Sequence, residues 1–445
     1  MAGKTPRKPW ALLAYTVADD YTEGAVVDVP AQNELKAIFE SCAERQVSVA
    51  AQVDFKSVPG VIRASVREPV LAGDRAFDEL PPEKYPLWLE ILKKKDARDS
   101  APGEPESLTG SLPLQAALLA KRKVTVGRER IDLHSARKQV LQDFLRAAQR
   151  SCPAEQYVLF VYGHSAGPMG LFWDRGPRNQ VPSTLRINHL AASIAAMQRR
   201  AALVMFRDCF MGALEAVFQL QGISDFMLAS QTQVPIAGEW PWRDLLGTLT
   251  RRATPRTVAT KLAANLGVFL EGFLDGPLNR DGSRIKFEDA PMALLDLTRA
   301  SAIAAPLKEL STALGEARKD PRRRTACAAA LETARMAYPG DPAMLDVLTM
   351  CENLAALKPD PVARPAMRLG KTVQALLRWT HSRTGRYRGV GLFYLPATSK
   401  LAAESNIVAG DEDGLAADAA YYARLALSRA TGWHRVALNP LTTRG

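Results

Sequence analysis

His164 and Cys209 are the two side chains in this 445-residue sequence whose surroundings best suit them to chemistry. Each closes an apolar, β-branched and aromatic run: Tyr157–Gly167 reads YVLFVYGHSAG, and Ala201–Leu220 reads AALVMFRDCFMGALEAVFQL. In an α/β chain, strands that stop at a polar residue deliver it to the carboxyl edge of the sheet, where ligands bind. A thiol attacks as thiolate, a form favoured at a helix amino terminus or beside an imidazolium. The second run passes from a strand at Leu203–Phe206 through Arg207–Asp208 to a helix expected from about Met211. Cys209 is thereby placed where helix amides and dipole would also steady an oxyanion. His164 lies 45 positions earlier, on what should be an adjacent strand one crossover away. A base and a nucleophile delivered in this way read as a cysteine peptidase. The plainer alternative is a core thiol and a histidine satisfied by packing.

A second hydrolytic reading uses Ser165. The pentapeptide Gly163–Gly167, GHSAG, fits G-x-S-x-G, the elbow that presents a serine nucleophile after a strand. Such an elbow runs straight into a helix, whereas Pro168-Met169-Gly170 and the stretch to Pro182 carry loop chemistry. The late candidates for the triad histidine are His381 and His434, both in helical, Arg-rich surroundings. A third reading is a scaffold that binds partners without catalysis.

Composition places few limits on these readings. The chain is 47% hydrophobic and 24% charged, long enough for two or three domains around a large core. No apolar stretch approaches the roughly 20 residues that span a bilayer. Trp10–Ala18 is apolar for nine residues and is followed by Asp19–Asp20, so it reads as a core strand rather than an export signal. The five cysteines, Cys42, Cys152, Cys209, Cys327 and Cys351, are scattered and odd in number, without disulfide-framework or metal-ligand spacing. A reducing cytoplasm is the expected compartment. The net charge of +11 is spread in short clusters such as Lys93–Lys95 and Arg322–Arg324, with no aromatic-interleaved platform, which argues against nucleic acid.

The elements that must position the pair form an alternating pattern. Strands are expected at Trp10–Val17, Val47–Asp54, Tyr157–Tyr162, Leu203–Phe206 and Phe226–Ser230. Helices are expected at Asn33–Glu44, Ser135–Gln149, His189–Met197 and Gly212–Leu220. Alternation of this kind specifies an α/β fold with a mostly parallel sheet covered on both faces. Glu68–Pro113 is rich in proline and charge and reads as an excursion, so 68–130 is treated as an inserted loop region. Residues 1–255 then form a catalytic domain. Residues 256–445 form a mainly helical part, with one late strand at Gly389–Pro396 before a helix at Leu415–Thr431.

These segments resemble the clostripain-like cysteine peptidases of the caspase-fold clan over most of their length. The opening strand Trp10–Tyr15 with Asp19–Asp20, and Gln52-Val53-Asp54 with Gly60 and Arg63, are similar to that family's first two strands. His164-Ser165-Ala166-Gly167 stands where the family has His-Gly-x-Gly. Arg207-Asp208-Cys209-Phe210-Met211 with Glu215 stands where it has Asp-Ala-Cys-Leu-Met and a Glu. Ser224–Ser230, Pro235 and Glu239-Trp240-Pro241-Trp242 resemble the segment after the cysteine, and Gly389–Pro396 with Tyr421–Trp433 resemble the carboxyl-terminal part.

The resemblance implies a caspase-like α/β/α sandwich, His164 as general base or acid, Cys209 as nucleophile, and an oxyanion held by the amides of Ser165 and Cys209. It implies substrate contacts from Arg207, Asp208, Ser230, Glu239 and Trp240. Family members often cleave after Arg or Lys, using an acid two positions before the cysteine. Arg207 occupies that position here, so a basic P1 residue would rely on Asp208 or Glu239, whereas Arg207 itself would favour an acidic one. The balance is placed on basic P1 through Glu239. The family's zymogens are cut between the two site segments, which nominates Arg175 and Arg178 in Trp173–Pro182 as activation sites, cut by the enzyme itself or by an upstream protease. Protein or peptide substrates are expected and no cofactor is. Some relatives respond to calcium, but Asp19, Asp20 and Asp54 do not have the spacing of a calcium loop, and no metal is expected.

Overall fold

The computed structural model describes residues 7–18, 28–45, 47–54, 60–66, 87–93, 125–127, 135–174, 183–235, 239–250, 252–274, 289–336, 344–358, 360–395, 419–439 and 441. Its centre is a sheet whose five inner strands are parallel. They are β1 (Lys8–Val17), β2 (Ser48–Asp54), β6 (Ala154–Tyr162), β9 (Ala201–Arg207) and β10 (Ser224–Ala229), in the order β10-β9-β6-β1-β2. Beyond β2 the sheet continues antiparallel through β3 (Gly60–Val66) and β4 (Leu87–Lys93), and β5 (Thr125–Gly127) then pairs parallel with β4. Beyond β10 it continues antiparallel through β11 (Met292–Asp296) and β13 (Leu377–His381).

The inner strands read as unbroken apolar runs because both of their faces are covered. Alternate residues of β6 show this: Tyr157, Leu159 and Val161 join one core cluster, and Val158, Phe160 and Tyr162 the other. The first cluster is closed by helices α2 (Lys138–Ser151), α3 (Ile187–Ala195), α4 (Leu214–Leu220) and a carboxyl-terminal set. That set comprises α7 (Ala304–Ala317), α8 (Pro321–Thr333), α9 (Val347–Ala355), α10 (Ala363–Leu376) and α11 (Ala426–Thr431). The second cluster is closed by α1 (Asp28–Arg45), α5 (Trp242–Gly247) and α6 (Pro255–Leu274). The outcome is the expected α/β/α sandwich.

Several sequence expectations need adjustment. The late strand does not rejoin the central sheet: β14 (Gly391–Phe393) pairs with β12 (Met344–Asp346) in a separate two-stranded ribbon. β11 and β13 instead carry the carboxyl-terminal half into the main sheet, through short MALLD and LRWTH segments whose pattern alone gives little signal. The supposed excursion at 68–130 contributes β4 and β5, while its other residues lie outside those described. The last helix is interrupted at Leu425, with residues 419–424 and Ala426–Thr431 helical on either side.

Candidate active site

The register of two neighbouring strands brings His164 and Cys209 together. β6 and β9 pair in parallel, and Tyr162 lies opposite Arg207 at their carboxyl ends. Each candidate residue sits two positions beyond that pair, so both lie just past neighbouring strand ends at the same sheet edge. Both are partly exposed, whereas Cys42, Cys152, Cys327 and Cys351 are buried. Burial pushes the Cys351 thiol well up and the Cys327 thiol up to about 11, as expected of structural sulfhydryls.

The two loops are locked to each other. Gly167 has φ +59, and a Cβ there would lie 2.9 Å from both Cβ and the carbonyl oxygen of Phe210, the residue after the thiol. Phe210 itself sits at φ 58, a left-handed conformation costly for a side chain with a Cβ, and its amide donates to Thr232 O at 2.8 Å. Gly212 donates to Ser230 O at 2.6 Å and packs so closely that a Cβ would meet Ser230 C at 2.7 Å. The Val234 amide points at Cys209 Sγ across 3.4 Å. Tyr421 braces the histidine loop from the far end of the chain, donating to Pro168 O at 3.2 Å while Arg186 lies over its ring.

One expected feature of the thiol's setting differs. The helix after Cys209 starts at Leu214, because Phe210–Gly212 are drawn into the contacts with Ser230 and Thr232. The thiol stands clear of the first turn of a helix only seven residues long, so the dipole argument does not carry over.

Ser165 is used by its own loop. Its Oγ accepts from Gly167 N at 2.8 Å and donates to Gly170 O at 3.3 Å, and the chain proceeds through a 3-10 turn into the hairpin of β7 (Leu171–Asp174) and β8 (Ser183–Leu185). His381 is on β13, four strand spacings or about 19 Å from β6. His434 is turned to Ser428 O at 3.3 Å. The serine-elbow reading has neither its helix nor its histidine. The flanking bonds of the Ser165–Leu171 bridge, Phe172 N to His164 O and Ala166 N to Gly170 O, leave the Ser165 amide outside the ladder and available to an oxyanion.

The residues nominated for substrate contact divide. Arg207 and Trp240 line a pocket with Val234, Phe269, Phe273 and Met292, directly beside the thiol through Val234. Arg207 is not a free charge in it. The guanidinium and the Glu34 carboxylate, each 1% exposed, pair at 2.5 Å. Glu34 also accepts from Trp240 N at 3.0 Å and Trp242 Nε1 at 2.8 Å. Burial pushes the Glu34 carboxyl up, but three donors converge on its two oxygens and none can accept a proton from it, which holds the pair as carboxylate and guanidinium. Arg207 also lies over the rings of Tyr162 and Trp240, at 4.9 and 5.8 Å.

Asp208 does not reach the pocket. It is fully buried, both carboxylate oxygens lack a hydrogen-bond partner among the described residues, and burial holds its carboxyl well above the ordinary range. Its nomination as a substrate contact is therefore corrected: the buried carboxyl does not line the pocket. Ser230 is also buried and caps its own turn, accepting from Thr232 N at 3.1 Å. Glu239 is exposed next to Trp240 and does not line the pocket. Arg175 and Arg178 lie outside the described residues, as do Asp19 and Asp20. Among the described residues, no group of three His, Cys, Asp or Glu side chains could hold a metal, and Asp54 accepts from Ser135 Oγ at 2.8 Å.

Sequence reasoning missed Glu34 and Tyr162. Glu34 had a signal: it is an acid on the buried stripe of α1, among Ala31, Leu35, Ile38 and Cys42. Tyr162 had none, since a strand-end tyrosine is ordinary core. Burial pushes its phenol up to about 12 despite the nearby guanidinium.

The clostripain family model matches residues 120–340. Among solved structures, the chain is similar to a secreted C11 cysteine protease from Bacteroides thetaiotaomicron bound to an irreversible peptide inhibitor. The identity is 13% and the TM-score 0.58, covering 95% of this chain and 99% of that one. It is also similar to an inactive zymogen C11 protease from Parabacteroides distasonis, at 12% identity and a TM-score of 0.59, covering 96% and 99%. At these identities the likeness shows a common fold. The search of curated proteins found no match. The matched stretch contains both site loops, and over it the chain is similar to the clostripain family of cysteine peptidases.

Proposed function

We propose that the protein is an endopeptidase that uses His164 and Cys209 as a dyad. The observation that carries this reading is the Tyr162–Arg207 register, with His164 and Cys209 each two residues beyond neighbouring strand ends. The thiol proton of Cys209 passes to His164 as Sγ attacks the scissile carbonyl carbon, and the Ser165 amide, with that of Cys209, receives the oxyanion. His164 delivers a proton to the leaving amine as the C–N bond breaks. Water then enters the thioester with His164 taking its proton, and carboxylate and free thiol are regenerated. No step requires a metal or an organic cofactor.

Activation by scission between the two loops fits this reading. One of the similar structures is an inactive zymogen, and Arg175 and Arg178 fall in the sequence between the two site segments. The cut would be made by the enzyme itself or by an upstream protease. Five cysteines, none in a disulfide, fit a reducing compartment, which supports a cytoplasmic location. Among the described residues no helix is long and apolar enough to cross a membrane.

The test is a panel of Cys209→Ala, His164→Ala and Ser165→Ala, assayed on a mixed peptide library before and after limited proteolysis. The first two should lose turnover by about 100-fold or more and the third should keep most of it. The reverse pattern would restore the serine reading, and no turnover in any form would leave a scaffold. Replacing both Arg175 and Arg178 by alanine should block chain scission; full activity of an uncut double variant would reject the activation scheme.

A further inference from the structure

The pocket beside the thiol carries information on which side chain the enzyme accepts. Val234 donates its amide to Cys209 Sγ and also lines the pocket, so the pocket's edge lies one residue from the thiol. Its floor is Arg207, two residues before Cys209, and its walls are Trp240 with Phe269 and Phe273 of α6 and Met292 of β11.

We infer, on the reading that Cys209 is the nucleophile, that this is the P1 pocket and that it selects an uncharged, apolar side chain. The ion pair beneath it removes the means to select either charge. Glu34 and Arg207 neutralise each other at 1% exposure, and the guanidinium is further covered by the rings of Tyr162 and Trp240. A P1 lysine or arginine would bring a second cation onto the guanidinium within an apolar wall. A P1 aspartate or glutamate would have to compete with Glu34, which is already fixed by three donors. Either ion would leave water without a full partner, which disfavours it. An apolar side chain loses nothing and gains contact with Trp240, Phe269 and Met292. Glu239 does not alter the outcome: it is exposed on the rim, where its charge is screened by solvent. The departure lies in one pair of residues, Arg207 at a position where an acid would select basic substrates, and Glu34 holding it neutral.

The experiment is a positional P1 peptide library turned over by the full chain after limited proteolysis, with Cys209→Ala as the blank. Expected is Cys209-dependent cleavage in which apolar P1 residues exceed Arg, Lys, Asp and Glu by at least tenfold in kcat/KM. Two variants report on the floor. Glu34→Gln keeps an acceptor for Trp242 but unmasks Arg207, and should raise the ratio of acidic to apolar P1 cleavage at least tenfold. Glu34→Leu combined with Arg207→Met removes both charges and should keep the apolar preference; it serves if the single variant does not fold. Glu239→Gln should leave the profile unchanged. Cys209-dependent cleavage after Arg or Lys, above all if lost in Glu239→Gln, would overturn the inference while leaving the peptidase reading intact. Cleavage that persists in Cys209→Ala would overturn the peptidase reading itself.

Discussion

Replacing Glu34 by alanine should be among the most damaging single changes outside the dyad. The carboxylate and the Arg207 guanidinium are each 1% exposed and 2.5 Å apart, so solvent cannot take over either partner's role. Removing one member of such a pair leaves a buried, uncompensated charge, at about 3–5 kcal/mol. The Trp240 amide and Trp242 indole lose their acceptor in the same step. Both rings pack against Phe160, at centroid distances of 5.5 and 4.8 Å, so the disturbance reaches the core cluster behind β6. The reasoning also fixes the sign of the double change. Glu34→Leu with Arg207→Met takes away both charges and supplies apolar volume, and should recover most of the loss, to within about 2 kcal/mol of wild type. Urea unfolding, followed by tryptophan fluorescence in a Cys209→Ala background, measures all three forms without self-cleavage. If Glu34→Ala cost under about 1 kcal/mol, or the double change were as damaging as the single one, the neutral-floor argument would fail with it.

Three further outcomes follow from the site and its supports. Glu215 accepts from Tyr422 OH at 2.6 Å and Phe393 N at 3.0 Å, and burial pushes its carboxyl from 4.5 up to about 6. The folded chain therefore keeps a proton that the unfolded chain releases, so this contribution to stability is full below pH 4.5 and is lost as pH rises through 6. Relative to Glu215→Gln, wild-type stability should fall by about 2 kcal/mol across that window in urea titrations, and parallel curves would refute the assignment. Asp208 behaves alike in direction: Asp208→Asn should be more stable than wild type at pH 7, with the gap closing on acidification; a gap that widened would mean that the carboxyl is ionised in the fold. Gly167→Ala drives a Cβ to 2.9 Å from Phe210 at φ +59, and should cost about 1–3 kcal/mol and depress kcat more than KM. Full turnover would show that the contact between the loops does not set the dyad.

The sequence discloses the sheet's centre because β1, β2, β6, β9 and β10 are buried on both faces and show as unbroken apolar runs. It points to His164 and Cys209 for the same reason, since each follows closely on the end of such a run. It does not disclose β11 and β13, whose five residues each hold no pattern until β10 offers them an edge. It does not disclose that α4 begins late, because the strained Phe210 and the seat of Gly212 on Ser230 depend on β10 being in place. Above all it cannot disclose the fate of Arg207: its partner lies 173 residues away on helix α1, and only folding turns a suspected charged pocket into a neutral one.

Covalent labelling by an irreversible peptidyl thiol alkylator, mapped by mass spectrometry, bears most directly on the pairing of His164 with Cys209. In the wild-type chain after limited proteolysis, label should be found on Cys209 and on none of the four buried thiols. It should form at least about 100-fold more slowly in His164→Ala. Label on another cysteine, or a rate at Cys209 indifferent to the loss of His164, would contradict the dyad.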